Sequence, residues 1–376
     1  MYKVLALVVA GMVAGGLALS GSAAPELIRL CDYIPPESRY VALELGFNYR
    51  SFEDQYLDDR ASVTGGSSTL HYLSLFDSAS YGYDFGLDVN IGYYQGEWSY
   101  SGSGGGSYSM YLAEGDLFAF GGAVIRVSSA YKGPGLNVTS GSGYGRFRDV
   151  TPLAKAVKLG DALAEMESLT GPLPDETLLA IAQEIGRRVE YPTIDGLVAK
   201  IAELIEGTGL VALPEGKLGP VEVLKIEEII EAPGDKRLCG FAIRGGLGYE
   251  LLEPLGQARD FLILADLNYA TAPTIDSQLL AKLEFNSSFA FLEDYSLSSF
   301  LSYTQRLSPY LNYTASHLFL RLKADEEPID SHVFELKVNL RSDKGWNLTW
   351  VLSFQWRSGY QEWTQEFSLT ATYSVF

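Results

Sequence analysis

This sequence predicts a mainly β, antiparallel fold interrupted by an α-helical insert, and three observations predict it. Hydrophobicity alternates with period two through most of 40–149 and 236–376, the spacing of strands with one apolar and one polar face. Between 150 and 235 the period lengthens to that of amphipathic helices. The apolar side of the alternating segments is rich in Trp, Tyr and Leu, while the other side carries charge in nearly every segment. A soluble sandwich rarely separates the two so completely; a wall with lipid outside and water inside does. The predicted architecture is therefore an antiparallel transmembrane β-barrel of 14 (or 12) strands with an α-helical insert.

The N-terminus reads as a secretory signal over 1–23. Lys3 supplies the positive region, Val4 to Leu19 the apolar core, and Gly21-Ser22-Ala23 the small-residue cleavage site. Residues 24–39 form a lead-in holding Cys31 and Pro35-Pro36. A lipoprotein signal is disfavoured, because Leu27-Ile28-Arg29-Leu30 is too bulky just before Cys31.

The first wall strand is expected near 40–50, with Val41, Leu43, Leu45, Phe47 and Tyr49 on one face. Residues 66–76 are a doubtful second strand and 79–94 the clearest one, closed by a tight turn at Gln95-Gly96. Segments near 97–111, 116–131 and 135–148 alternate too, although Gly104 to Gly106 and Gly121-Gly122 blur their faces. Thr151-Pro152 then reads as a helix start. Further helices follow from Asp175, around Ile194 to Gly207, and around Val221 to Ile229, stopped by Pro233-Gly234. Residues 150–235 hold sixteen Asp plus Glu against seven Lys plus Arg. Amphipathic helices of this length must pack together or against the barrel. Cap, partner-docking and lumen-plug roles all fit that pattern.

Strands resume at 238–251, 260–269, 278–291, 295–306 and 310–323. Three more fill 331–376, with Ser342-Asp343-Lys344-Gly345 and Ser358-Gly359-Tyr360-Gln361 between them. In a bacterial single-chain barrel the strand number is even. Eight strands that end in the periplasm must begin there, so the insert is expected in the periplasm and the N-terminal portion supplies an even number. Six is favoured, for a total of fourteen. The same parity puts Cys239 at the periplasmic end of its strand, beside the compartment of Cys31, so a Cys31–Cys239 disulfide competes with two free thiols.

The export signal, aromatic-edged amphipathic strands and terminal Phe376 resemble Gram-negative outer-membrane β-barrel proteins, porins among them. That resemblance implies contact with outer-membrane lipid and recognition by the barrel-assembly machinery. Phe376 departs from the usual pattern by one step, since Tyr373 and Val375 take the lipid phase. The passage Gly143-Tyr144-Gly145-Arg146 into Asp149-Val150-Thr151-Pro152-Leu153-Ala154 resembles barrels of an uncharacterised family with a helical insert.

The formal charge of −19 argues against a nucleic-acid partner. No nucleophile elbow, phosphate loop or metal-ligand cluster is visible, so no catalytic residue, metal or cofactor is expected. The histidines are His71, His317 and His332. A hydrolase would need His317 or His332 to meet a Ser or Asp in space, since adjacency to Ser316 or Ser331 sends side chains to opposite faces. Strand phase instead nominates lumen-facing charges: Glu44, Arg50, Asp84, Asp88, Arg244, Asp266, Lys282, Glu284, Arg321, Lys323, Glu335, Lys337, Arg341 and Arg357. They either line a watery pore or pair across strands and seal it. The expected function is a porin-like passive channel for small hydrophilic solutes. The alternative is a non-conducting, anchoring barrel whose insert binds a periplasmic protein or envelope polymer.

Overall fold

The computed structural model describes residues 28–35, 37–54, 61–112, 115–232, 236–254, 261–289, 294–323, 327–341, 346–359 and 362–373. The signal segment and Phe376 lie outside them. Six strands precede the insert: β1 (Glu37–Asp54), β2 (Ala61–Ser78), β3 (Tyr81–Tyr94), β4 (Glu97–Tyr111), β5 (Leu117–Ser128) and β6 (Gly135–Asp149). Eight follow it: β7 (Leu238–Leu252), β8 (Phe261–Thr271), β9 (Ser277–Ser288), β10 (Tyr295–Ser308), β11 (Leu311–Lys323), β12 (Ile329–Arg341), β13 (Trp346–Arg357) and β14 (Thr364–Tyr373). They form one antiparallel sheet in which every strand is hydrogen-bonded to its chain neighbours, in the order β1 to β14. The doubtful second segment is a full strand, so six plus eight gives fourteen. Gln95 and Gly96 both take positive φ, 50° and 93°, as the tight hairpin turn between β3 and β4 requires.

The sheet is strongly curved. Arg244 on β7 reaches Asp84 on β3 at 3.9 Å, and the Asp149 amide on β6 donates to Ser38 Oγ on β1 at 3.2 Å. In a flat sheet those strands would lie roughly 19 and 24 Å apart, at about 4.8 Å per strand. Side chains that meet across such spans lie on the concave face, which identifies the inside of a barrel wall. The other face is apolar: Leu45 and Phe47 are 73% and 81% exposed. An array of that kind is stable only against lipid or another apolar surface. Aromatic pairs border it at both ends. Phe76–Tyr83 and Tyr81–Tyr108 lie near one rim, Tyr93–Trp98 and Tyr249–Phe261 near the other.

Four helices leave and rejoin the wall between Asp149 and Leu238, which are themselves paired. They are α1 (Thr151–Glu165), α2 (Asp175–Gly186), α3 (Ile194–Glu206) and α4 (Pro220–Glu231). The cap of α1 sits one residue earlier than expected: Val150 is the N-cap, and Asp149 Oδ1 accepts from the Thr151 amide at 2.9 Å. Thr193 caps α3 by accepting from Gly196 N. The helices bury their stripes against one another through Leu153, Leu159, Leu163, Ile181, Leu197, Ile201, Ile205, Ile226 and Ile230. Leu30 and Tyr33 of the lead-in join the same core, and Cys31 is disulfide-bonded to Cys239 with Cα atoms 5.2 Å apart.

Within the described residues, this core meets the wall at Cys239, Ala272 and Ile275, all on one rim. Arg237, 1% exposed, seals the junction: its Nε donates to Ile275 O at 2.8 Å, and its carbonyl accepts from Val150 N at 2.8 Å. Lys155 Nζ donates to Ile230 O and Ala232 O at the end of α4, and burial holds its pKa below the usual lysine value. Among the described residues the helical unit is thus bolted to one rim of the wall.

Candidate lumen site

The concave face divides into three zones. In the first, β2 to β8 on the insert side, arms and rings bridge the curve. Arg244 Nε donates to Asp266 Oδ1 at 2.9 Å while its NH1 approaches Asp84, which also accepts from Ser107. The Arg244 guanidinium lies 5.8 Å from the Phe120 ring centre. Arg146 spans further. It donates to Ser78 O and Ala79 O at 2.9 and 2.8 Å, pairs with Asp116 at 3.3 Å, and stacks 3.5 Å from the Tyr111 ring centre.

Strict alternation would send Arg146 outward, since it pairs with the outward-facing Phe241. Gly145 reverses the phase with φ of 108°, and Gly240 does the same beside Cys239 with φ of 117°. A Cβ on Gly145 would sit 2.1 Å from Phe241 O, so only glycine serves there. Bare backbone elsewhere makes room for rings: a Cβ on Gly143 would lie 2.4 Å from Phe118 Cζ.

The second zone is a cleft near the opposite rim, with a volume of about 410 Å³, between β2, β3, β4 and β5. His71 and Asp88 are hydrogen-bonded at 2.5 Å on one side, and Arg126 stands on the other. Register places Asp88 opposite Ser103, and Ser103 opposite Arg126.

The third zone is the concave face of β8 to β14. Lys282 pairs with Glu284 at 2.6 Å, Asn268 donates to Asp266, and Asn312, Asn339 and Thr349 form a hydrogen-bonded row. Glu335, Lys337, Arg341 and Arg357 share this face by register. Beside them lie Phe300, Leu318 and Leu322, 38%, 41% and 45% exposed.

Register therefore puts the nominated charges on the concave face, with one correction, at Arg321 and Lys323. The backbones of Glu44 and Arg50 take the concave phase, opposite His71 and Gly65; their side chains lie outside the described residues. Arg321 and Lys323 face outward. The β11 ladder runs unbroken to β12, pairing Thr314 with Lys337 and Ser316 with Glu335, and Thr304 bonds Thr314 on the concave side. With no bulge in β11 to invert the phase, Leu318, Leu320 and Leu322 turn inward and the cations between them turn outward. Arg321 there forms a bidentate bridge with Asp330, at 2.6 and 2.7 Å, close to the rim. Both His317 and His332 also face outward, 3.2 Å apart, His317 stacked on Phe334 and His332 tilted against Phe319.

Sequence reasoning missed Arg146, Arg126 and the His71–Asp88 pair. For Arg126 the signal was present, because Phe118, Phe120 and Arg126 share one parity on β5. The conformation of Gly145 leaves no trace in a residue pattern.

No protein-family model matches the chain, and no curated protein sequence does. Among solved structures, a CymD monoaromatic hydrocarbon channel aligns over 92% of this chain and 81% of its own, at 12% identity and a TM-score of 0.22. A likeness that loose carries no argument about fold, solute or mechanism.

Proposed function

We propose that the chain is an outer-membrane barrel acting as a passive channel for small hydrophilic solutes. The observation that carries this reading is the two-faced wall: apolar residues of β1 stand 51% to 81% exposed on the convex side, while on the concave side Arg244 bridges Asp84 and Asp266 and Lys282 pairs with Glu284. Transport needs no cofactor and no catalytic residue in this account; the wall supplies charge and hydroxyls along a water-filled path.

The insert rim is the periplasmic one in this reading. Strand β1 starts at it and β14 ends at it, and its other joins are short: 79–80, 112–116, 272–276, 309–310 and 342–345. Apart from the turn at 95–96, every join at the far rim is at least as long as these, up to 253–260. Short periplasmic turns and longer outer loops are the usual asymmetry. Assembly then draws on outer-membrane lipid and the barrel-assembly machinery.

A non-conducting, anchoring barrel is the second reading. The Arg146 and Arg244 bridges favour it, because they occupy the concave side of the first zone. The helical unit would then hold a periplasmic protein or envelope polymer. Liposome swelling with sugars of increasing size separates the two. The channel reading expects swelling that declines with solute size; folded protein that gives none at any size supports the anchor.

A further inference from the structure

We infer that the cleft between β2, β3, β4 and β5 is a binding site for a sugar acid, a small polyhydroxylated carboxylate. The inference rests on the channel reading only for its biological use; the site itself stands on its own groups. Its volume of about 410 Å³ falls within the range of small-molecule sites, roughly 300–1,000 Å³.

Strand parity explains why the cleft exists. Thr69, His71, Asp88, Asn90, Ser101, Ser103, Arg126 and Ser128 all take the concave phase. The two β4 residues at its centre are serines, so the floor is shallow between the longer side chains of β3 and β5. Leu70, Val89, Gly102 and Val127 also border the cleft but have the opposite phase.

Three features choose the ligand class. Arg126 forms no ion pair among the described residues, and a guanidinium offers a planar fork that matches a carboxylate. Asp88 is already engaged by His71, which leaves its second oxygen to accept from ligand hydroxyls and orients the imidazole. The floor between them carries short hydroxyl and amide groups, the chemistry that matches a polyol, and Tyr131 also borders the cleft. A bare anion would use Arg126 alone; a neutral sugar would leave it without its partner.

The test is isothermal titration of the folded full-length protein in detergent with D-glucuronate, D-glucose and acetate. Glucuronate should bind at least about tenfold more tightly than either, a difference worth roughly 1.4 kcal/mol. Arg126→Gln should remove that preference against glucose, and His71→Gln should weaken glucuronate while leaving acetate unchanged. Both positions are exposed, and heat-modifiable gel mobility verifies that each variant folds. Glucuronate binding no tighter than acetate, or an unchanged preference in Arg126→Gln, overturns the inference. Bilayer current keeps the two readings apart: current without glucuronate binding rejects the cleft alone, and glucuronate binding without current rejects the channel alone.

Discussion

The two arcs of the wall solve the same problem in opposite ways. From β2 to β7 the concave side is crossed by Arg146 and Arg244 and paved with the rings of Phe118, Phe120 and Tyr111. Glycines make this possible, since Gly141, Gly143 and Gly246 leave the backbone bare where rings lie on it. From β8 to β12 there is no glycine at all between 261 and 341. Every concave position there carries a side chain, yet Leu318 and Leu322 remain about two-fifths exposed. Filling therefore depends on arms long enough to cross the curve and on bare backbone to receive them, more than on residue bulk.

The largest effect should come from Gly145→Ala. It combines a φ of 108° with a contact of 2.1 Å to Phe241 O, against a cost of about 1–3 kcal/mol for such a backbone alone. Expected is loss of the heat-modifiable folded band, whereas Ser316→Ala in the other arc leaves it intact. A variant that folds normally would break the comparison.

Next comes the tether. Cys31→Ser should destabilise the lead-in and helical unit by about 2–4 kcal/mol, read as faster proteolysis near 28–35 without change in the barrel band.

Arg146→Ala should lower stability by about 1–3 kcal/mol, because two carbonyls lose their donor. It should also raise bilayer conductance, since the arm crosses the concave space. Equal conductance would mean that solutes pass only beside the other arc.

Tyr33→Phe sharpens the contrast from the rim. The Tyr33 hydroxyl is buried without a partner among the described residues, so its removal should stabilise the unit by about 1 kcal/mol. Burial, then Asp149, pushes the phenol up to about 12 from 10.0. A folded pKa above the unfolded one gives stability that is complete below pH 10 and lost as pH rises towards 12. The variant should lack that alkaline loss in thermal melts.

The smallest effect is a matched pair. Glu335→Gln should shift ion selectivity towards anions, and Arg321→Gln should not change it, because only the first faces inward.

Most of this wall was legible from sequence, for a physical reason. A strand with lipid on one side and water on the other must alternate, so β1, β3, β12 and β13 declare their faces. Parity of strand number then recovered β2, whose own pattern of Ser, Thr and Leu is weak. The glycine-rich β4 to β6 were harder because a residue without a side chain declares no face. Strand β11 misled because its apolar set, Leu318, Leu320 and Leu322, points into the barrel, and only pairing with β10 and β12 decides the phase. The cleft was hidden for another reason: His71, Asp88, Ser103 and Arg126 lie on four different strands, and register is a property of the folded sheet.

Single-channel recording of the refolded mature protein in a planar bilayer tests the central claim most directly. The account predicts steady, ohmic current that grows in Arg146→Ala and is reduced by blocking the rim away from the insert. Persistent silence from protein shown to be folded and inserted, in both wild type and Arg146→Ala, would contradict it and leave the anchoring barrel.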